Sequence, residues 1–331
     1  MPQALSVATL GGATMGTTWS VKAACAPRAD LHALHGVVQS ALDTVVAQMS
    51  HWRDDSDISR YNRSVAGSVH SLPDEFHTVM RCALEIAEAS DGAYDPTLGA
   101  VVDAWGFGPA QRPRQLPDTA MIDTVRAVSG WRRLVLEHEP PQLLQPGGAV
   151  LDLSAIAKGY GADVVAAHLR AHGIASALVE VGGELYGYGR KPDGDPWRVL
   201  VEAAAEDGDA ATAADGEEGA RIRVVALEGL AVATSGDRWH AFEQDDERHS
   251  HTFDPRTGRP VRHAPAGVTV IAGSAMRADA WATALTVMGA DAGHAFATEH
   301  GLAARFLLRG DDGLRERLSP RFVELSTVAD P

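Results

Sequence analysis

Apolar residues recur at three- and four-residue steps from Leu31 to Met49, through Leu34, Val37, Val38, Leu42, Val45 and Val46. That spacing keeps one face of an α-helix against a core, and the run stops at Ser50-His51-Trp52. A second helix is predicted from Pro73 to Ala89, where Pro73-Asp74-Glu75 supplies a proline and two acids suited to a helix N-terminus and Asp91-Gly92 follows the end. Thr14 to Lys22, with its threonines, Trp19 and Val21, predicts an early strand. Between Gly147 and Gly189 the pattern reads strand, helix, strand: Ala149 to Leu153, a helix through Val164, Val165 and Leu169 closed by Gly173, then Ala177 to Val181. Strands resume at Arg221 to Leu227 and Ala231 to Thr234, and a last stretch runs from Val268 through a helix near Ala278 to Met288. The fold class is mixed α/β, with no fixed-period repeat.

Composition narrows the function. The 331 residues are 45% hydrophobic, enough for a sizeable core in one large or two ordinary domains. The segment from Ala203 to Ala220 holds acids and small residues without an apolar anchor, and is expected to be a disordered surface insertion. With 29 basic and 44 acidic side chains the net charge is −15, which argues against binding nucleic acid or an anionic membrane. A polyanionic ligand would need local help from a metal or a helix N-terminus. Cys25 and Cys82 have no CxxC or histidine partner in sequence, so neither a zinc site nor a disulfide scaffold is expected. No leader and no transmembrane run of eighteen apolar residues is visible. The location expected for the chain as written is cytoplasmic, or periplasmic or inner-membrane-anchored if a leader has been trimmed.

Familiar signatures are missing. Gly11 to Thr17 has phosphate-loop glycines but no lysine, Gly182-Gly183 with Gly187 and Gly189 does not make GxGxxG, and neither GxSxG nor HExxH occurs. Candidate chemistry lies elsewhere. In Ser274 to Leu285, Asp279 and Thr283 stand four apart, so a helix puts a carboxylate and a hydroxyl on one face. Two hard oxygens suit Mg²⁺ completed by water and phosphate; the competing reading is an acid near a helix start and a threonine bonded to its own helix. In Leu151 to Gly161, Asp152 ends the predicted strand and Lys158 sits near a helix start, which suits a phosphate or, equally, a simple cap with a solvated lysine. His249 and His251 fall on one face of a predicted strand, yet without a third ligand zinc is disfavoured. Ser90 to Gly99 and Trp105 to Pro109 are rich in glycine and aromatic residues, as suits either a loop against a flat ligand or a packed turn.

In order along the chain these segments resemble the ApbE family, the FAD:protein FMN transferases. The resemblance covers Met15 to Val21, Met49 to Arg53, Asp57 to Asn62, Gly92 to Gly99, Trp105 to Pro109, Asp152 to Gly159, Ala233 to Asp237, His251 to Gly258 and Ser274 to Thr283. It implies a single domain over 1–331 with a T-fold-like architecture of mixed sheets and flanking helices. It further implies FAD contacts at Met15, Trp52, Ala93, Tyr94, Asp95, Asp152, Lys158, Thr252 and Phe253, and a Mg²⁺ site of the Ala155 carbonyl with Asp279 and Thr283. Trp52 matches an aromatic that stacks on adenine. The implied reaction is attack by a threonine hydroxyl of an acceptor flavoprotein on the FMN-side phosphorus of FAD, releasing AMP, with Asp279 and His251 as the catalytic residues and His251 the candidate base. Family acceptors carry an Asp a few residues before a Ser/Thr-Gly-Ala-Thr-like stretch, and this chain has none convincing enough to suggest self-modification. Two other readings use the same site: a Mg²⁺-dependent FAD pyrophosphatase, and a non-catalytic FAD-binding protein.

Overall fold

The computed structural model describes residues 4–109, 116–201, 220–236, 241–244, 247–263, 265–310 and 313–329. The acidic stretch expected at 203–220 lies outside them except for Ala220, as does Asp237. The chain divides into two compact units, one from residues 1–43, 158–238 and 264–331, the other from 44–157 and 239–263.

A hairpin begins the chain: β1 (Ser6–Thr14) pairs with β2 (Thr17–Cys25), Ser6 opposite Cys25 and Thr14 opposite Thr17. The strand expected at Thr14 to Lys22 is therefore the second arm of a hairpin. Its turn, Met15-Gly16, has φ of 48° and 71°, the left-handed pair required by a type I′ turn. Asparagine and glycine announce such turns; methionine does not, and its side chain is strained there. Then comes α1 (Leu31–Met49), with the bounds its periodicity predicted.

In the second unit the chain forms α2 (Asp57–Asn62), β3 (Val69–Ser71), α3 (Asp74–Ala89), α4 (Gly99–Ala104), α5 (Thr119–Val128), a 3₁₀ turn (Trp131–Arg133), β4 (Val135–His138) and β5 (Pro141–Leu144). The strands make an antiparallel sheet in the order β3-β5-β4. The strand predicted at Ala149 to Leu153 is reduced to one isolated parallel bridge between Leu98 and Val150. The segment is extended and buries Ala149, Leu151 and Leu153, so it has a strand's pattern, but its hydrogen bonds go elsewhere. The Asn62 amide takes both polar groups of Leu151, at 2.8 and 2.9 Å, and Gly99 N–H donates to the Val150 carbonyl at 3.0 Å.

Next are α6 (Ala157–Ala171), β6 (Ala177–Val181), β7 (Glu184–Tyr188), β8 (Trp197–Val201), β9 (Arg223–Leu227) and β10 (Leu230–Ser235). Four short strands of the second unit follow, β11 (Ala241–Gln244), β12 (Glu247–Ser250), β13 (Phe253–Asp254) and β14 (Arg259–Pro260). The chain closes with β15 (Gly267–Ala272), α7 (Ala275–Met288), α8 (Ala290–Glu299), β16 (Ala303–Gly310), β17 (Gly313–Leu318), α9 (Pro320–Leu325) and β18 (Ser326–Val328).

The first unit is built on an eight-stranded antiparallel sheet in the order β1-β2-β6-β7-β10-β15-β16-β17. This is the expected mixed α/β class: β1–β2, β6–β7 and β16–β17 are hairpins, while β15 and β16 are joined through α7 and α8. A small sheet, β18-β9-β8, shares a core with it through Trp197, Val225, Leu227, Val232, Ile271 and Phe322. Helix α7 packs on β10 and β15. Its alanines at 275, 278, 280, 282 and 284 are all buried, so it has no apolar stripe and can lie close to its neighbours. Among the described residues no helix is long and apolar enough to cross a membrane.

Candidate active site

In the first unit the site begins with a glycine. A Cβ on Gly159 would lie 2.3 Å from the Ala275 carbonyl oxygen, so glycine alone lets the first turn of α6 come this close to the start of α7. The approach brings Gly159 N–H to Asp279 Oδ2 at 3.1 Å. It also lets Asp163, one turn on, accept from Ala275 and Met276 N–H at 2.8 and 2.9 Å, satisfying two donors that a helix start leaves unpaired. Ser274 caps a third, Arg277 N–H.

Asp279 is buried, 6% exposed. Lys158 Nζ meets Glu184 Oε1 at 2.5 Å, while the other Glu184 oxygen is buried without a hydrogen-bond partner among the described residues. Asp279 and Glu184 therefore share one ammonium, and Asp163 lies close enough to feel the charge of Asp279. Burial raises the pKa of each: Asp163 to about 6, Glu184 with added repulsion from Asp279, and Asp279 against the pull of Lys158 and the Gly159 amide. Burial works against the charge of Lys158, but Asp279 and Glu184 outweigh it and hold the ammonium above its usual value. An excess of buried negative oxygen, one atom of it unpartnered, fits a hard divalent cation. Thr283 stands half-buried one turn beyond Asp279. Its neighbour Thr286 bonds back to the Ala282 carbonyl at 2.8 Å, whereas among the described residues the Thr283 hydroxyl makes no such bond.

The hairpin turn reaches the same place. A Cβ on Gly182 would lie 2.8 Å from Thr17 Cγ2 and 3.1 Å from Lys158 Cδ, and one on Gly161 would lie 3.3 Å from Met15 Cε. Two glycines thus make room for the β1–β2 turn against α6 and Lys158. Sequence reasoning found Met15, Lys158, Asp279 and Thr283 but missed Glu184 and Asp163. A signal for Glu184 existed: the Gly182-Gly183 turn sets it opposite Val181, whose side chain is buried, so an acid at that position must also face inward.

The second unit holds the other expected residues. Trp52 follows α1 and is 59% exposed, its ring 5.7 Å from that of His51. Asp152 Oδ1 accepts from Ser154 N–H at 2.8 Å and lies 3.7 Å from His51 Nδ1; it closes the turn that carries Ala155, which is half-buried. Ala93 and Tyr94 are buried. The Asp95 carboxylate accepts from Thr97 N–H, Thr97 Oγ1 and Trp131 N–H at 2.8, 2.6 and 3.0 Å, so it pins two turns together, and burial raises its pKa in spite of these bonds. His251 occupies a bend after β12 ends at Ser250; it does not share a strand face with His249. Thr252 N–H donates to Ser250 Oγ at 3.1 Å and the Thr252 carbonyl accepts from Val261 N–H at 3.0 Å. Phe253 packs on Trp105 and Phe107, ring centroids 5.9 and 5.8 Å apart, and Trp105 Nε1 donates to the Gly258 carbonyl at 2.9 Å. The 105–109 block is accordingly a packed turn that anchors the 251–260 loop.

Among the described residues no three His, Cys, Asp or Glu side chains stand together as a metal cluster, and Cys25 and Cys82 are buried and form no disulfide. Fold and site define a mixed α/β protein with a buried, carboxylate-rich centre served by one lysine. The sequence profile of the ApbE family matches residues 15–306. The chain is 36% identical to the FAD:protein FMN transferase of Vibrio cholerae, over 95% of this chain and 91% of that protein. It is 34% identical to the FAD:protein FMN transferase of Escherichia coli K12, over 96% and 89%. The crystal structure of the Pseudomonas stutzeri flavinyl transferase ApbE in its apo form matches it with a TM-score of 0.87 and 38% identity, covering 97% of both chains. The chain belongs to the ApbE family.

Proposed function

We propose that this chain is a flavin transferase that moves FMN from FAD onto a threonine hydroxyl of an acceptor protein. The supporting observation is the buried Asp279–Lys158–Glu184 cluster, in a chain whose relatives are named FAD:protein FMN transferases. The threonine Oγ forms a bond to the FMN phosphorus, the bridging phosphorus–oxygen bond breaks, and its electron pair leaves with AMP. The hydroxyl proton passes to His251, histidine being the side-chain type suited to base catalysis near neutrality. Lys158, held protonated, offers N–H donors to phosphate oxygens. Asp279 and Thr283 supply hard oxygens for Mg²⁺, with the Ala155 carbonyl the third ligand of the family pattern. A divalent cation bound there supplies positive charge beside the phosphate oxygens, which an acidic protein otherwise lacks. Trp52 offers its exposed indole to the adenine, and Met15, the Ala93–Asp95 turn, Asp152, Thr252 and Phe253 contribute the remaining FAD contacts.

Incubation with FAD, Mg²⁺ and a threonine-bearing acceptor tests the reading. A covalent fluorescent adduct on a denaturing gel is expected. Free FMN and AMP without adduct would make the chain a pyrophosphatase, and bound FAD without turnover under any metal would make it a binding protein.

A further inference from the structure

The eight-stranded sheet has two unlike edges. At one, β17 alternates charge along Arg315, Glu316 and Arg317, which discourages a further strand. At the other, β1 runs nine residues, Ser-Val-Ala-Thr-Leu-Gly-Gly-Ala-Thr, with no charge and no proline. Val7 is 45% exposed, and Thr9 and Gly11 are exposed too. The two-residue turn makes Thr14–Thr17 the closing hydrogen-bonded pair, so the main-chain groups of Ala13, Gly11, Thr9 and Val7 point away from β2. The Ala13 carbonyl accepts from Gln39 Nε2 at 3.4 Å; among the described residues the outward groups of Val7, Thr9 and Gly11 have no partner. From Val7 to Gly11 this open ladder runs about 14 Å at ~3.4 Å per residue. β1 ends at the Met15-Gly16 turn, which packs on Gly161 and, across Gly182, against Lys158.

We propose that the β1 edge is the docking strand for the acceptor. An extended segment of the acceptor protein adds beside β1, its main chain bonding to Val7, Thr9 and Gly11, and its threonine is delivered at the turn next to Lys158. The inference rests on the flavin-transfer reading. That substrate is itself a polypeptide, and this edge leads into the reacting end of the site, so strand addition serves both affinity and aim. Little sequence recognition is needed along the ladder, because main-chain bonds carry it.

Two variants test the proposal. Thr9→Pro deletes an outward N–H and leaves the β1–β2 bonds in place, while Val7→Lys keeps the backbone and puts a charge on the edge. The probe is a synthetic peptide with an Asp a few residues before Ser-Gly-Ala-Thr, flanked by β-branched residues. In both variants KM for the peptide should rise about tenfold or more, as expected for lost ladder bonds, with kcat at saturating peptide and the Kd for FAD unchanged. In the wild type, amide exchange at Val7, Thr9 and Gly11 should slow when peptide is added. An unchanged KM in either folded variant overturns the proposal; so does a wild-type dimer that both variants split without moving KM, which would assign the edge to a second copy. If Thr9→Pro does not fold, Val7→Lys decides alone. A wild type that labels no peptide would overturn the flavin-transfer reading itself, before either variant is compared.

Discussion

Asp279 lies deep in the first unit with a backbone amide and a lysine for company, and burial raises its carboxyl pKa in spite of both. A carboxylate buried at such cost is expected to serve a ligand. Asp279→Ala should abolish Mg²⁺-dependent transfer while the melting temperature holds or rises, because the buried acid that repels both Asp163 and Glu184 is gone. Thr283→Val should lose less, since a hydroxyl ligand is neutral; equal losses, or a lower melting temperature for Asp279→Ala, would mean that this face of α7 matters for packing. Trp52 makes the complementary case. At 59% exposure it contributes little to the core, so Trp52→Asn should leave the melting temperature in place. It should also weaken FAD binding roughly tenfold, as loss of about 1.4 kcal/mol of stacking would, and Trp52→Tyr should be nearly silent. A destabilised Trp52→Asn protein with unaltered FAD affinity would contradict the stacking role. Residues of this kind were legible because each carries its chemistry in its own type. Asp163 and Glu184 were hidden because their importance comes from what the α6–α7 approach and the β6–β7 turn set beside them.

At the scale of elements, α1 was readable to the residue and α3 to within one: their apolar spacing is helical, and Pro73, expected as the first helical residue, is the N-cap of α3. The hairpin was half-read, since Gly11, Gly12 and a Met-Gly turn carry none of the usual marks. The false strand at Ala149 to Leu153 shows the opposite error, a buried alternating segment whose ladder is replaced by the Asn62 side chain. The junction of α6 with α7 makes a pH-dependent prediction. Asp163 titrates at about 6 in the folded protein because it is buried, above its value in the unfolded chain. Between about pH 4 and 6 the unfolded state releases this proton first, so the stability Asp163 contributes falls as pH rises through that window, by at most about 3 kcal/mol. Thermal melts of wild type and Asp163→Asn should therefore shift against the wild type from pH 4 to pH 7. A constant gap would show that the carboxyl is not desolvated.

Over the whole molecule, the link between the large and small sheets of the first unit is polar at its centre. Arg305, fully buried on β16, donates to Glu316 at 2.8 Å and to the carbonyls of Val201 and Arg221 at 2.9 and 2.7 Å, while Arg223 of β9 donates to the other Glu316 oxygen. Glu316→Gln leaves buried guanidinium charge uncompensated and should cost about 3–5 kcal/mol in unfolding free energy, read as a lower denaturant midpoint with unchanged slope; a shift within error would mean that water reaches the pair. This network joins residues more than eighty positions apart in sequence, and no local pattern announces it. Family membership was legible for a different reason. Its marks sit at turns and helix starts, where Met15, Asp95, Gly159 and Asp279 are each fixed by a steric or electrostatic demand of the local backbone. The net charge of −15 remains the constraint that any account of FAD handling must meet, and the proposed function meets it with Lys158 and a divalent cation. The most direct test is intact-mass and tandem mass spectrometry of an acceptor incubated with the protein and FAD, with Mg²⁺ or with a chelator. The account predicts an FMN adduct on threonine that forms with Mg²⁺, disappears with chelator and is absent with Asp279→Ala. An adduct that persists under chelation and with Asp279→Ala would contradict it.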